Sequence, residues 1–330
     1  MTPRKDVITV LIATYNRAAH LEQCLQSLAV QRFEYGDEVL IVDNASTDDT
    51  RAVVRKAMDW FPVPLRYFHE ASPGKSNALA LGVARAGGDV LALTDDDVLV
   101  APDWIEAVRD GMQDASVALI AGRVEPRWEA KPPRWLRIRD RGGYSVLAAP
   151  LALLDYGAEQ VPLDERSGLG ANMAVRRADL HAIGGFPATL GKLRGTLLSG
   201  EDRYVCERLR DAGHRCVYAP GLVVRHWVPK ERTRLAYFAR WFFWSGITNS
   251  ALDGDEGRGG LRTLLGVPVY LLRRLAVSGG AALGAAVAGR TTSAVEHGVA
   301  VAFAAGYIAH RWGLLASSVT LTRETSAQQI

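Results

Sequence analysis

Three consecutive aspartates, Asp95-Asp96-Asp97, follow an apolar, strand-like stretch in LALTDDDVLV. Successive residues at an extended strand end point to opposite sides, so Asp95 and Asp97 are expected to face one way and Asp96 another. Two converging carboxylates favour a hard divalent cation, Mg²⁺ or Mn²⁺. The alternative is a turn with an aspartate helix cap before Pro102, because aspartate is common in turns. The cluster alone leaves both interpretations open.

Two further polar positions could contact a nucleotide. Asp43, at the end of EVLIVD, could accept a hydrogen bond from an N–H group of a base or cap the next helix. Ser46 or Thr47 lies closer to that helix start, which favours the base contact. Lys75 and Asn77, in PGKSN, could reach a nucleotide or cap the helix that begins there, and the sequence does not separate these roles.

An acidic pair and a histidine complete the candidates. Glu201 and Asp202, in SGEDRYV, begin an amphipathic helix, where the helix dipole favours acidic residues in any case. The functional alternative is a general base, which must be ionised, oriented and next to a cleft. His226, in VVRHW, is either structural or a neutral imidazole ligand of a metal such as Mn²⁺.

The strands and helices that must position these residues are predicted to alternate regularly from residue 7 to about 122. The periodicity predicts strands at 7–13, 38–43, 65–69, 89–94 and 116–122, and helices at 19–30, 50–58, 74–86 and 102–112. Such β-α-β units imply an α/β fold, a Rossmann-like and mostly parallel sheet with helices on both faces.

Ligands of such sheets bind beyond the carboxyl ends of the strands. Three polar clusters follow strands in this way: Thr14-Tyr15-Asn16-Arg17, Asp43-Asn44-Ala45-Ser46 and Asp95-Asp96-Asp97. The first strand–helix turn, ATYNRAAH, contains no glycine, so neither a dinucleotide-binding fingerprint nor a P-loop is present. A nucleotide would therefore be held by side chains and a cation.

The rest of the chain is less regular. Residues 123–150 are rich in Arg, Trp and Pro and are predicted to be irregular. They precede predicted strands in GLGANMAVRR, RCVYAP and LVVRHW, and helices in ADLHAIGG and EDRYVCERLRDAG. Because the composition changes again after residue 230, we divide the chain into residues 1–122, 123–230 and a helical, apolar region at 231–330. GDEGRGG, residues 254–260, is predicted to be a linker.

Composition narrows the classes of partner. The 330 residues are 48% hydrophobic with a formal charge of +3, and no Lys/Arg block is dense enough to indicate nucleic acid. The three cysteines form no C-x-x-C pair, so the sequence favours neither a disulfide framework nor a thiolate zinc site. The apolar run from Val7 to Ala13 is short for a signal peptide. A cytoplasmic location is expected.

Three segments, in order, carry a family resemblance: VLIATYNRAAHLEQCLQSL, EVLIVDNASTDDT and PGKSNALALGVARAGGDVLALTDDDV. Together they resemble the nucleotide-binding half of family 2 glycosyltransferases, which have the GT-A fold. The likeness continues through GLGANMAVRRADLHAIGGF and LLSGEDRYVCERLRDAGHRCVYAPGLVVRHW, so it covers roughly residues 7–250. It implies transfer of a sugar from a nucleoside diphosphate sugar, by default a UDP-sugar, with Mn²⁺ or Mg²⁺ as cofactor.

The resemblance also implies a role for each matching residue. Residues 14–16 and Asp43 would hold the base, Asp95 would contact the ribose and the metal side, and Asp97 would ligate the metal. Asp202 matches the catalytic base, and His226 matches a histidine that helps to bind metal or diphosphate. The remaining residues assigned to donor binding are Lys75, Asn77, Asp96, Asn172 and Glu201, of which Asn172 belongs to the segment Gly170-Ala171-Asn172 facing the donor sugar or acceptor.

The expected reaction needs only one catalytic carboxylate. A glycosidase needs two carboxylates, whereas a nucleoside diphosphate leaves with help from a metal and needs no proton donor. Direct attack of the acceptor hydroxyl implies inversion of configuration. A sugar-phosphate nucleotidyltransferase would normally carry a glycine-rich phosphate loop, and a non-catalytic nucleotide-sugar or glycan-binding module has no reason to combine Asp95 and Asp97 with Asp202.

The C-terminal region raises the question of a membrane. Processive family members carry Gln-x-x-Arg-Trp, whereas residues 237–241 read Tyr-Phe-Ala-Arg-Trp, so a single addition is expected. The apolar stretches 275–289 and 298–309 are each shorter than the roughly 20 residues that span a bilayer. They are expected to form either a buried helical hairpin packed on the catalytic domain or a peripheral, monotopic or re-entrant element on the inner face of the membrane. Membrane association would favour an envelope glycan or lipid-linked acceptor. Residues expected at the lipid surface are Arg232, Arg234, Tyr237, Arg240, Trp241, Trp244, Arg262, Arg273 and Arg274.

Overall fold

The computed structural model describes residues 6–140, 142–187, 197, 200–253 and 262–314. The chain forms two compact units, and the described part of the first comprises residues 6–132, 137–140, 142–187 and 200–232. The second contains residues 133–136, 197, 233–253 and 262–314. The predicted linker at 254–260 lies outside the described residues.

The first unit alternates strands and helices. Its strands are β1 (Ile8–Thr14), β2 (Glu38–Asp43), β3 (Leu65–His69), β4 (Val90–Asp95), β5 (Val98–Val100), β6 (Val117–Trp128), β7 (Arg139–Asp140), β8 (Gly143–Tyr144), β9 (Val161–Pro162), β10 (Asn172–Arg176) and β11 (Arg215–Val228). Its α-helices are α1 (Ala18–Ala29), α2 (Thr50–Met58), α3 (Lys75–Arg85), α4 (Trp104–Gly111), α5 (Arg177–Ala182) and α6 (Glu201–Asp211).

Nine of the described strands form one sheet in the order β3-β2-β1-β4-β10-β6-β11-β5, with β9 paired to β11. Strands β3, β2, β1 and β4 are parallel, whereas β10 runs antiparallel to both of its neighbours. All six residues of β2 are buried, as expected for a strand covered by helices on both faces. Leu21, Leu25 and Leu28 form the predicted buried face of α1. The predicted α/β class and mostly parallel sheet are confirmed.

Two sequence predictions need correction. The segment 123–150 was predicted to be irregular, but its first six residues extend β6 to Trp128 because residues 123–128 pair with residues 223–228 of β11. The two short strands predicted in RCVYAP and LVVRHW are one strand, β11, whose register shifts between Ala219 and Val223. Pro220 and Gly221 lie at this irregularity, where proline and glycine are tolerated within a sheet.

The second unit is mainly helical. It contains α7 (Leu235–Leu252), a short hairpin of β12 (Thr263–Leu264) and β13 (Val267–Pro268), α8 (Val269–Val287) and α9 (Thr291–Arg311). Helices α7 and α9 approach so closely that a Cβ atom on Gly246 would overlap the carbonyl oxygen of Phe303, and one on Gly306 would overlap that of Phe243. Among the described helices, none combines the length and the apolar character needed to cross a membrane.

Candidate active site

The predicted polar clusters meet at one edge of the sheet. Strand β1 lies between β2 and β4, with Thr14 opposite Asp43 and Ala13 opposite Asp95. The loops that follow these three parallel strands are therefore neighbours at the carboxyl edge, where ligands bind in such sheets.

The three consecutive aspartates have different surroundings. Asp95 Oδ1 lies 2.6 Å from Lys75 Nζ. Asp96 accepts hydrogen bonds from Thr14 Oγ1 at 2.8 Å and from Arg17 Nη1 at 2.9 Å. Asp97 also contacts Arg17 Nη1 and lies 3.3 Å from His226 Nε2 through its other oxygen. Asp96 is thus directed toward β1, while Asp97 is next to the histidine.

Asp95, Asp97 and His226 form a group that could hold a metal ion. One ligand atom from each lies within 4.8 Å of the other two. Asp97 and His226 are 3% and 1% exposed, yet Asp97 Oδ1 and His226 Nδ1 have no hydrogen-bond partner among the described residues. Buried polar atoms without a partner are destabilising, and a bound cation would satisfy the oxygen. Two carboxylates and an imidazole fit Mn²⁺, and the carboxylates also fit Mg²⁺.

Burial and neighbouring charges shift the pKa values of Asp96 and Asp97 in opposite directions. Burial opposes ionisation of Asp97, but His226 and Arg17 outweigh it and hold the pKa of Asp97 well below its usual range. Burial raises the pKa of Asp96 to about 6, although Arg17 acts in the opposite direction. The carboxylate beside His226 therefore stays ionised and available to a cation.

Lys75 connects the aspartate cluster with the acidic pair. Burial disfavours its ammonium group, but the carboxylates of Asp95, Glu201 and Asp202 outweigh burial and raise the pKa of Lys75. Lys75 does not cap α3, whose N-cap residue is Gly74. Asn77 donates from Nδ2 to the carbonyl of Pro73 at 2.9 Å, so it stabilises the helix start, and a donor contact from Asn77 stays a prediction.

Asp43 and Asn16 hold neighbouring loops together. Asp43 accepts hydrogen bonds from the backbone N–H of Ser46 at 2.8 Å and from Tyr67 Oη at 2.7 Å. Asn16 has a left-handed backbone with φ of 51° and accepts from the backbone N–H of Thr47 at 2.7 Å. Both residues thus shape the loops at the carboxyl edge of the sheet, and their contact with a base stays a prediction. Tyr15, which lies between Thr14 and Asn16 in the sequence, is 38% exposed.

Asp202 lies in a tight environment at the N-terminus of α6. A Cβ atom on Gly170 would come within 2.8 Å of Asp202 Oδ1, a buried oxygen without a hydrogen-bond partner among the described residues. Burial and the charge of Glu201 raise the pKa of Asp202 to about 7, against the opposing effects of Lys75 and the Gly170 backbone N–H. Glu201 is buried and accepts from the backbone N–H of Gly200 at 3.0 Å. Asp202 is therefore poised to exchange a proton near neutral pH.

The side-chain amide of Asn172 makes three hydrogen bonds within the protein. Its side chain is fully buried, and Nδ2 donates to the carbonyls of Arg123 at 2.8 Å and Leu222 at 2.9 Å. Its Oδ1 accepts from Trp104 Nε1 at 2.8 Å. These bonds join β10, β6, β11 and α4 through the amide, and a donor contact from Asn172 stays a prediction.

Two residues near the site were not assigned by sequence reasoning. Arg17 bridges Asp96 and Asp97, and its place in the first polar cluster was the only signal. Asn44 donates to the carbonyls of Glu70 and Ser72 and accepts from the backbone N–H of Gly74. Asn44 thereby fixes the loop that delivers Lys75 to Asp95.

Comparisons with known proteins agree with this geometry. The family described as "Glycosyl transferase family 2" matches residues 9–180, more than half of the chain. The chain is 27% identical over 255 residues to the succinoglycan biosynthesis protein ExoM of Rhizobium meliloti, covering 76% of this chain and 77% of that protein. It is 24% identical over 285 residues to a glucosyl-dolichyl phosphate glucuronosyltransferase of Haloferax volcanii, covering 81% and 85% of the two chains.

A solved structure shares the fold. A mannosyltransferase from Pyrobaculum calidifontis, in complex with GDP-Man and Mn²⁺, superposes with a TM-score of 0.64 at 22% identity, covering 94% of this chain and 88% of that one. The α/β unit is thus a GT-A fold. The chain belongs to glycosyl transferase family 2 and is a glycosyltransferase, as its sequence motifs predicted.

Proposed function

We propose that the protein is a metal-dependent inverting glycosyltransferase that moves one sugar from a nucleoside diphosphate sugar to an acceptor hydroxyl. The observation that carries this proposal is the convergence of Asp95, Asp97 and His226, with ligand atoms within 4.8 Å of one another. They lie at the sheet edge where Lys75 links Asp95 electrostatically to Asp202. A candidate metal site and a candidate base thus lie on the two sides of Lys75.

Each side chain then has a defined task. A cation held by Asp95, Asp97 and His226 would stabilise the negative charge of the departing diphosphate. Asp202, with a pKa of about 7, accepts the proton of the attacking acceptor hydroxyl. Because one carboxylate suffices for direct displacement, the proposed reaction inverts the configuration of the anomeric carbon.

The donor is proposed to be a UDP-sugar, with GDP and dTDP sugars as the other candidates. Asp43 could accept a hydrogen bond from an N–H group of uracil, thymine or guanine, and residues 14–16 would line the same base. The similar mannosyltransferase is named as a complex with GDP-Man, which keeps GDP among the candidates.

The acceptor is proposed to be an envelope glycan or a lipid-linked sugar. This rests on relatives named for succinoglycan biosynthesis and for glucosyl-dolichyl phosphate. A single addition is favoured because residues 237–241, YFARW, lack the glutamine of the processive signature.

The nucleotide preference and the metal dependence can be tested in one experiment. Thermal unfolding of the full chain would be followed with UDP-, GDP- and dTDP-sugars, each with and without Mn²⁺. A ligand that binds only the native state stabilises it by about 2.7 kcal/mol at a hundred times its Kd, so the true donor should raise Tm only when Mn²⁺ is present. A nucleoside triphosphate that raises Tm when no nucleotide-sugar does would instead favour a nucleotidyltransferase. Donor binding without transfer to any acceptor would favour a binding protein.

We also propose that α8 rests on the inner face of the cell membrane. Tyr237, Trp241 and Trp244, expected at the lipid surface, are half-buried. On α8, by contrast, three apolar side chains are largely exposed: Val277 at 61%, Leu283 at 69% and Val287 at 84%. Residues 262–290 contain four arginines and no acidic residue, and the exposed arginines are Arg262, Arg273, Arg274 and Arg290. An apolar helix face flanked by arginines is complementary to an anionic lipid surface.

Vesicle flotation tests this surface. The full chain should bind vesicles of equal parts phosphatidylcholine and phosphatidylglycerol, bind poorly to phosphatidylcholine alone, and dissociate in high salt. The double variant Leu283→Gln, Val287→Gln should lose most of this binding, whereas Val30→Gln, at another exposed valine, should keep it. Absence of wild-type binding, or equal binding of the double variant, would remove the proposal.

A further inference from the structure

Each of the three consecutive aspartates already contacts a cationic side chain of the protein. Lys75 Nζ is 2.6 Å from Asp95 Oδ1, and Arg17 Nη1 contacts both Asp96 and Asp97. The Lys75 and Arg17 side chains are 18% and 34% exposed. Two cations beside the candidate metal ligands therefore offset most of the negative charge of the three carboxylates.

These contacts engage one oxygen of each carboxylate in the candidate metal group. Arg17 holds Asp97 Oδ2, while Asp97 Oδ1 faces His226 without a hydrogen bond. Lys75 holds Asp95 Oδ1. A divalent cation bound by Asp95 and Asp97 would lie close to both side chains, and like charges at short range in a buried site repel strongly. Arg17 and Lys75 therefore compete with a metal ion for these carboxylates.

A nucleoside diphosphate changes this balance. Its phosphate oxygens bind arginine and lysine side chains well, because charge-assisted hydrogen bonds to phosphate are strong. Arg17 lies in the loop after β1, and Lys75 is the first residue of α3, so both border the edge where the proposed donor binds. Side chains that turn toward the diphosphate would release the carboxylate oxygens to the metal.

We propose that Arg17 and Lys75 are internal counter-cations that keep metal affinity low until a nucleoside diphosphate engages them. This inference rests on the proposed function and assigns the two residues a positioning role. It makes metal and donor binding mutually reinforcing, because a coupling free energy acts equally on both ligands. The two side chains would tie metal loading to the presence of donor.

The test measures Mn²⁺ binding directly, without catalysis. The concentration of free Mn²⁺ is measured by electron paramagnetic resonance while the full chain is titrated, once without nucleotide and once with saturating UDP or GDP. For the wild type, the nucleotide should tighten Mn²⁺ binding at least about tenfold, within the usual range of coupling between two sites. Arg17→Gln and Lys75→Gln should each bind Mn²⁺ more tightly without nucleotide, by up to about tenfold, and gain less from nucleotide.

Two controls separate this effect from a structural one. Arg17→Lys keeps the charge and should keep the weak Mn²⁺ affinity of the wild type. Arg32→Gln removes an arginine from an exposed ion pair with Glu106 and should change neither affinity. Thermal unfolding without metal identifies any variant that fails to fold, and Arg17 and Lys75 provide independent substitutions.

The outcomes are distinct. Mn²⁺ binding that is unchanged or weaker in both glutamine variants, with normal coupling to nucleotide, contradicts the inference and leaves the proposed function intact. If the wild type binds no Mn²⁺ with either nucleotide, the proposed metal dependence is wrong, and the inference with it. Tighter Mn²⁺ binding in both glutamine variants, together with wild-type Mn²⁺ affinity in Arg17→Lys, supports the inference.

Discussion

Replacing Asp202 by asparagine is expected to lower the rate of sugar transfer by about a thousandfold, because general-base catalysis typically contributes 10²–10⁴-fold. Asparagine has nearly the same shape, so the tight approach of Gly170 is preserved and the fold should be retained. The measurement is the initial rate at saturating donor and acceptor. Asp211→Asn, at the other end of α6, serves as the control and should transfer at the wild-type rate.

The pH dependence of the transfer rate tests the same role of Asp202. Because burial and Glu201 raise the pKa of Asp202 to about 7, part of the carboxyl is protonated at neutral pH and cannot accept a proton. Transfer by the wild type should therefore rise as pH increases through about 7 and then level off. The residual activity of Asp202→Asn should lack this step. A flat wild-type profile between pH 5 and 9 would argue against Asp202 as the base.

The second large effect concerns Asp97. Asp97→Ala removes a proposed metal ligand, the carboxylate beside His226 and one of the two carboxylates that Arg17 contacts. Changes to residues that only support metal ligands cost 10–100-fold in affinity, so loss of a ligand should weaken Mn²⁺ binding by about a hundredfold or more. Donor binding that depends on Mn²⁺ should be lost with it, as measured by calorimetric titration.

Asp96→Asn is the matched control for this substitution. Asp96 lies between the two metal-facing carboxylates in sequence but is directed to Thr14 and Arg17. Its replacement should change Mn²⁺ affinity by less than about tenfold, since the amide can still accept from Thr14. If Asp96→Asn weakened Mn²⁺ binding as strongly as Asp97→Ala, the assignment of metal ligands would be wrong.

The sheet and the location of the site were predictable because both depend on local patterns. Short apolar strands and helices with a period of 3.6 alternate clearly from residue 7 to 122, and β2, β3 and α2 have the predicted bounds. Polar clusters after parallel strands must meet at one edge of the sheet. That rule alone brought residues 14–17, 43–46 and 95–97 together.

Predictions were weaker where long-range contacts decide the structure. Residues 123–128 have an irregular composition but form a strand because β11 pairs with them. Asn172 matches a family motif, yet its buried amide joins strands and a helix that the sequence does not reveal as neighbours. Arg17 was adjacent to the predicted base-binding residues, but only the packing of β1 against β4 directs it to Asp96 and Asp97.

The proposed enzyme binds its nucleotide-sugar through a metal and uses Asp202 only to accept a proton. The most direct test compares donor affinity, measured with Mn²⁺ by calorimetric titration, with transfer rate in the same preparation of Asp202→Asn. In this variant, donor affinity should stay within about threefold of the wild type, while transfer should fall by about a thousandfold. Normal transfer by this variant, or a loss of donor binding as large as the loss of transfer, would contradict this role of Asp202.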